Sequence, residues 1–220
     1  MARSLVALDE VTVTRRRVRA YIGLGANVGD AAATLADAVV ALGALPGASV
    51  RGVSRLYVTA PVGVTDQPDF HNAVVALDVP AVPDQATGAL DLLAALKDLE
   101  RTFGRRHRRR WGPRELDLDL LVFGRARLRV ERSDDARSLD AETDPGRAAR
   151  LLEVPHAAAA TRLFVLAPLA DLAPGLVPPG WRMSVATARR RQAALEPPDA
   201  IVPVADWDLA TRGWRPIKPG

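Results

Sequence analysis

Asp117-Leu118-Asp119 is the segment whose residue types and spacing could most directly do chemistry. The run Leu116 to Phe123 around it reads as a strand, and alternate side chains of a strand share a face. Both carboxylates therefore point one way, while Leu116, Leu118 and Leu120 point the other way, into a core. Residues two apart on a strand are separated by about 6.6 Å, so the two acids repel unless a divalent ion lies between them. Such a pair suits two Mg²⁺ ions about 3.5–4 Å apart, the arrangement of phosphoryl chemistry. A plain solvated strand face is the competing reading of D-x-D taken alone.

The neighbourhood favours an anionic ligand. Arg105-Arg106-His107-Arg108-Arg109-Arg110 lies just upstream, and the turn Trp111-Gly112-Pro113 brings Arg114 to three residues before Asp117. Guanidinium groups beside a metal-binding carboxylate pair suit a polyphosphate. Nucleic-acid binding is the alternative for the Arg run, but the run is short and the adjacent acids would repel phosphate without a metal. No G-x-x-x-x-G-K-[ST] loop and no protein-kinase signature set occurs. Gly23, Gly25 and Gly29 are spaced G-x-G-x-x-x-G, with Val28 where a dinucleotide fingerprint needs its third glycine, so that reading fails. His71, His107 and His156 each stand alone, and Phe70 and Phe164 would ordinarily be core.

Composition bounds the rest. The 220 residues are 48% hydrophobic and 25% charged, too apolar for a disordered chain, and no apolar run reaches the length of a membrane helix. There is no cysteine and there are only three histidines, so a metal would sit on carboxylates, favouring Mg²⁺, Mn²⁺ or Ca²⁺. The formal charge is +4, and 28 of the 30 basic residues are arginine, with only Lys97 and Lys218 as lysine. Residues 1–19 read as a polar leader without a signal-peptide pattern, implying a cytoplasmic protein.

The elements that must position these residues follow from periodicity and turn chemistry. Ala20 to Gly25 reads as a first strand, and Asp30 caps a helix to about Leu42 with Leu35, Val39 and Leu42 on one stripe. Val50 to Tyr57 and Phe70 to Val79 read as strands around a turn-rich loop. Pro83-Asp84 opens a helix to Phe103 with Leu92, Leu96, Leu99 and Phe103 facing the core, stopped by Gly104. Gly124 to Arg150 is charged and reads as an inserted loop, with 125–150 as its extent. Leu151 to His156 and Phe164 to Leu169 resume apolar structure, Met183 to Leu195 is a basic helix, and the tail from Glu196 packs over the surface or hangs free. The order β-α-β-β-α-β is the split ferredoxin-like arrangement, an α+β fold with helices on one face of a mainly antiparallel sheet. One main domain over 20–180 and a C-terminal helix and tail over 181–220 are expected.

Four stretches are similar to the 6-hydroxymethyl-7,8-dihydropterin pyrophosphokinases of folate biosynthesis: Ala20–Asp30 (AYIGLGANVGD), Tyr57–Leu77 (YVTAPVGVTDQPDFHNAVVAL), Arg110–Gly124 (RWGPRELDLDLLVFG) and Val154–Pro174 (VPHAAAATRLFVLAPLADLAP). The resemblance implies a ferredoxin-like monomer that transfers pyrophosphate from ATP to the pterin hydroxymethyl oxygen, releasing AMP. It implies no nucleic-acid or membrane partner. Asp117 and Asp119 match the ligands of two Mg²⁺ ions and, with Arg105 and Arg114, the catalytic set. Lys97, Arg105, Arg110, Trp111, Arg114, Leu120, His156 and Arg162 match ATP-contacting positions. Phe70 and Phe164 match an aromatic pair around the pterin, Asn72 the amide that reads its edge, and Thr59, Ala60 and Val62 the loop that completes the pocket. Ala157 stands where the family usually has a larger ring residue.

Overall fold

A computed structural model describes residues 16–61, 66–104, 113–132 and 151–217. Strand β1 (Arg17–Ala26) runs antiparallel between β4 (Phe70–Pro80) and β5 (Asp117–Phe123). It is longer than the glycine-broken run suggests, and it takes in Arg17 to Arg19 of the expected leader. Helix α1 (Ala31–Ala44) starts where Asp30 accepts the Ala33 N–H at 3.0 Å. Helix α2 (Gln85–Thr102) is capped by Asp84, which accepts from Ala86 and Thr87, and the chain leaves it through Gly104 at φ +80°.

The single strand expected over Val50 to Tyr57 is two, β2 (Ser49–Val53) and β3 (Leu56–Thr59), both antiparallel to β4. Ser54 makes the break. Its hydroxyl accepts the Val74 N–H at 2.9 Å, and its own N–H donates to the Val74 carbonyl at 2.9 Å.

Helices α1 and α2 share one face of the sheet, where Leu35, Leu42, Leu92 and Leu96 pack on Ile22, Leu24, Leu77, Leu118 and Leu120. The opposite face is covered too, which corrects the expectation of helices on one face only. Helix α3 (Leu163–Leu172) and helix α4 (Val185–Ala193) supply Val165, Leu166, Leu169 and Val185 against Val74, Leu121 and Val122. Burial on both faces explains the unbroken apolar run in β4. In β5 a register shift opposite Tyr21 and Ile22 inserts Leu121, so Leu118 and Leu120 face one core while Leu121 and Val122 face the other.

Two sequence expectations change further along the chain. Within 125–150, read as a loop, lies strand β6 (Leu128–Glu131), which pairs with β7 (Leu151–Val154); residues 133–150 are outside the described part. The C-terminal tail is neither loose nor merely draped. Strand β8 (Val202–Asp208) joins β3, and β9 (Gly213–Pro216) joins β8, giving the main-sheet order β5-β1-β4-β3-β8-β9 with β2 beside β4. Trp207 and Trp214 pack edge to face at 4.8 Å, and the Trp214 indole donates to the Ser54 carbonyl at 3.1 Å. Alternation in the tail is too short to separate a strand from a loop until an open sheet edge is available to pair with it.

Candidate active site

Residues directly opposite one another in a sheet share a face. Tyr57 lies opposite Asn72, Asn72 opposite Gly25, and Gly25 opposite Asp117, which forms one row across four strands. In the next row Val74 lies opposite Gly23, and Gly23 opposite Asp119. Because Leu118 and Leu120 enter the α1–α2 core, the two acids emerge on the α3 face, on the same side of one strand as the alternation predicts. The two glycines leave a floor without side chains beside the acids. A Cβ on Gly25 would lie 3.7 Å from Asn72 Oδ1 and 3.9 Å from Asp117 Cβ.

Asn72 is 6% exposed. Its Nδ2 donates to Thr59 Oγ1 at 3.0 Å, which directs Oδ1 over Gly25. Phe70, two residues back on the same face of β4, is half-buried and belongs to neither core. Phe164 is likewise half-buried, in the first turn of α3 at the margin of the core on that face, with the Arg162 guanidinium 5.6 Å from its ring centre. The structure therefore brings Phe70, Asn72, Phe164, Asp117 and Asp119 to one face. Ala60 is exposed beside Thr59.

The Arg114 guanidinium donates to Asp117 Oδ2. The Arg114 backbone is held by a residue that sequence reasoning did not single out. Asn27, 3% exposed, accepts the Arg114 N–H at 2.7 Å on Oδ1 and donates its own N–H to the Arg114 carbonyl at 3.0 Å. Its Nδ2 donates to Gln67 Oε1 at 3.1 Å and to the Pro68 carbonyl at 3.0 Å. One buried amide thus ties the end of β1 to the segments that lead into β4 and β5. The signal was a short amide directly after a glycine-broken strand, in Gly23-Leu24-Gly25-Ala26-Asn27.

Arg132 sits in charged sequence that reads as a loop and gives no sign of a site residue. Its Nε donates to the Leu151 carbonyl at 3.0 Å. Burial holds its guanidinium below the ordinary arginine range, while Asp119 and Glu100 act in the opposite sense, which puts this cation within electrostatic reach of the second acid. His156 donates its N–H to the Leu121 carbonyl at 2.9 Å, and its Nδ1 accepts from Ala158 at 3.3 Å. A single ring proton would therefore sit on Nε2. A cleft of about 450 Å³ opens beside it, lined in part by Arg127, Arg129, Ala157 and Trp181.

Two expected contacts look different in three dimensions. Leu120 is 2% exposed with its side chain in the core, so only its backbone could meet a ligand. Lys97 is 7% exposed, and its ammonium is engaged by Glu100 at 2.6 Å and by the Leu118 carbonyl at 3.0 Å. Val62, Arg105, His107, Arg110 and Trp111 lie outside the described residues. Among the described residues no cluster of three or more His, Asp or Glu forms a ready-made metal cage, and no helix is long and apolar enough to cross a membrane.

The family model for 7,8-dihydro-6-hydroxymethylpterin-pyrophosphokinase matches residues 21–174. A 2-amino-4-hydroxy-6-hydroxymethyldihydropteridine pyrophosphokinase of Methylorubrum extorquens is 40% identical over 178 residues, covering 81% of this chain and 97% of that one. An enzyme of the same name from Pseudomonas aeruginosa is 40% identical over 164 residues, covering 74% and 86%. Among solved structures, an HPPK-DHPS in complex with substrates superposes with a TM-score of 0.65 at 12% identity, over 93% of this chain and 48% of that one. The wild-type HPPK-DHPS of Plasmodium falciparum gives 0.64 at 12% identity, over 89% and 50%. This chain spans about half the length of those solved chains, and at that identity the likeness speaks for the fold.

Proposed function

We infer, since the chain belongs to the 7,8-dihydro-6-hydroxymethylpterin-pyrophosphokinase family, that it transfers the pyrophosphoryl group of ATP to the hydroxymethyl group of 6-hydroxymethyl-7,8-dihydropterin. The pterin oxygen forms a bond to the β-phosphorus, the bond from that phosphorus to the α-phosphate oxygen breaks, and AMP leaves. The hydroxyl proton is lost to solvent or to a phosphate oxygen. Chemistry of this kind needs positioning and charge neutralisation more than a strong base, and no strong base is needed on the α3 face.

The observation that carries this reading is the row Asn72–Gly25–Asp117. An amide that both donates and accepts fits a pterin edge, a bare glycine leaves room for a flat ring, and the acids begin where the hydroxymethyl group would end. Phe70 and Phe164 would hold the two faces of the ring. Arg114, Arg162 and His156, with Arg105, Arg110 and Trp111, would hold the polyphosphate, and the backbone of Leu120 would meet the nucleotide at the β5 edge. All of these residues belong to one chain, so the proposed site calls for no residue from a second copy.

Asp117 and Asp119 would hold two Mg²⁺ ions. The fit is chemical: Mg²⁺ is usually held by one or two carboxylates, completed by substrate phosphates and water, and Asp117 and Asp119 offer two carboxylates on one side of one strand. When bound, the ions would supply charge neutralisation to the polyphosphate. The chain's own part is to hold the acids on a rigid strand and Arg114 beside them.

The test is AMP formation from ATP with and without the hydroxymethyl pterin. The reading expects AMP only with both substrates and a divalent ion. Pterin-independent hydrolysis, or no AMP at all from folded protein, would overturn it.

A further inference from the structure

Among the described residues strand β5 ends the main sheet, so one of its edges has no partner strand there. Backbone groups on such an edge need other partners or water. Leu118, between the two acids, is fully buried and cannot use water. Its N–H donates to Glu100 Oε1 at 2.7 Å, and its carbonyl accepts from Lys97 Nζ at 3.0 Å. The same Glu100 oxygen accepts from Lys97 at 2.6 Å, which closes a ring of side chains and backbone.

The two peptide groups held in this way are not arbitrary. The Leu118 N–H belongs to the peptide that joins Asp117 to Leu118, and the Leu118 carbonyl to the peptide that joins Leu118 to Asp119. Each acid is attached to a peptide plane that α2 fixes from behind. A buried ion pair is a poor way to gain stability, because desolvation offsets most of its attraction. Here the pair sits where two carboxylates must keep a set separation, and small misplacements of catalytic groups are costly.

We propose that Lys97 and Glu100 are positioning residues for the reaction: they clamp both peptides of Leu118 and thereby set the spacing and direction of Asp117 and Asp119. The proposal rests on the reading of those acids as the metal site. Lys97 then acts through the strand rather than by reaching the nucleotide.

Two uncharged double variants separate the clamp from simple packing. K97Q/E100Q retains an acceptor for the Leu118 N–H and a donor for its carbonyl. K97M/E100L has similar volume and neither. The readouts are melting temperature, kcat and KM for each substrate, amide hydrogen exchange at Leu118, and Mn²⁺ affinity in the presence of a non-hydrolysable ATP analogue without pterin. The expected result is that folded K97M/E100L has at least tenfold lower kcat and Mn²⁺ affinity than K97Q/E100Q, faster exchange at Leu118, and a pterin KM within about twofold. Equal kcat and equal Mn²⁺ affinity in the two variants would overturn the clamp. If K97M/E100L does not fold, the singles K97M and K97Q, which differ only in the donor, decide by the same criteria. D119N measured alongside keeps the two ideas apart: unchanged Mn²⁺ affinity there would sink the metal reading itself.

Discussion

Asn72 and Asp117 stand on either side of Gly25 in one cross-strand row, so that an amide and a carboxylate share a floor bare of side chains. The two flanking strand spacings put them about 9–10 Å apart, room for one flat heterocycle with a short arm. Gly25→Ala tests this relationship. The added methyl would meet Asn72 Oδ1 at 3.7 Å and Asp117 Cβ at 3.9 Å, ordinary contacts that the fold tolerates. The expected outcome is a melting temperature near the parent's, with pterin affinity reduced tenfold or more in calorimetric titration. Full pterin affinity in G25A would place the ring elsewhere.

Asp117→Asn and Asp119→Asn should each abolish divalent-dependent AMP release while circular dichroism and melting remain close to the parent. Both side chains are partly exposed, so neither is needed for the core. Near-normal turnover of either variant at saturating Mg²⁺ counts against their role.

Arg114→Ala should lower kcat by about a hundred- to a thousandfold, the typical effect of removing one preorganised charge-assisted donor, about 2.7–4 kcal/mol in the barrier. ATP binding should fall less, because the other arginines remain. A loss confined to ATP affinity, with kcat intact, would make Arg114 a simple binding residue.

Phe70→Ala and Phe164→Ala should cost well under the roughly 3–5 kcal/mol of a fully buried phenylalanine, since both rings are half-buried. Pterin affinity should drop in both variants and ATP-analogue affinity in neither. Paired melting and titration experiments check this; large melting losses with unchanged pterin affinity would return both rings to the core.

His71 gives a pH prediction. Burial holds its imidazole below the usual histidine range, with Asp30 and Asp69 opposing. The unfolded chain then binds the proton more readily than the folded one, so stability is complete above about pH 6.5, the ordinary histidine value, and falls as pH drops through the window below it. Melting curves of the parent between pH 7.5 and 5.5 should shift down more than those of His71→Asn, by less than about 1.4 kcal/mol per pH unit. Parallel curves would remove His71 from the account.

The sequence by itself determined the parts that depend on local period and local chemistry. Alternation alone put Asp117 and Asp119 on one face and Leu118 and Leu120 on the other, and the structure keeps that division. Asp30 and Asp84 marked helix starts because a short carboxylate satisfies first-turn N–H groups with no help from the rest of the fold. The apolar run Ala73 to Leu77 marked a strand but did not reveal that both its faces are covered, which α3 and α4 decide.

Only the tertiary structure decided what depends on partners far apart in the chain. Asn27 becomes a hub because Arg114, 87 residues away, offers its backbone to it. Arg132 comes near Asp119 because β6 folds back against β7 rather than remaining a loop. The tail becomes β8 and β9 because β3 has an open edge for it to pair with. Lys97 and Glu100 both lie on α2. They are buried because α2 packs against β5, where Leu118 has two backbone groups to satisfy and no water to satisfy them.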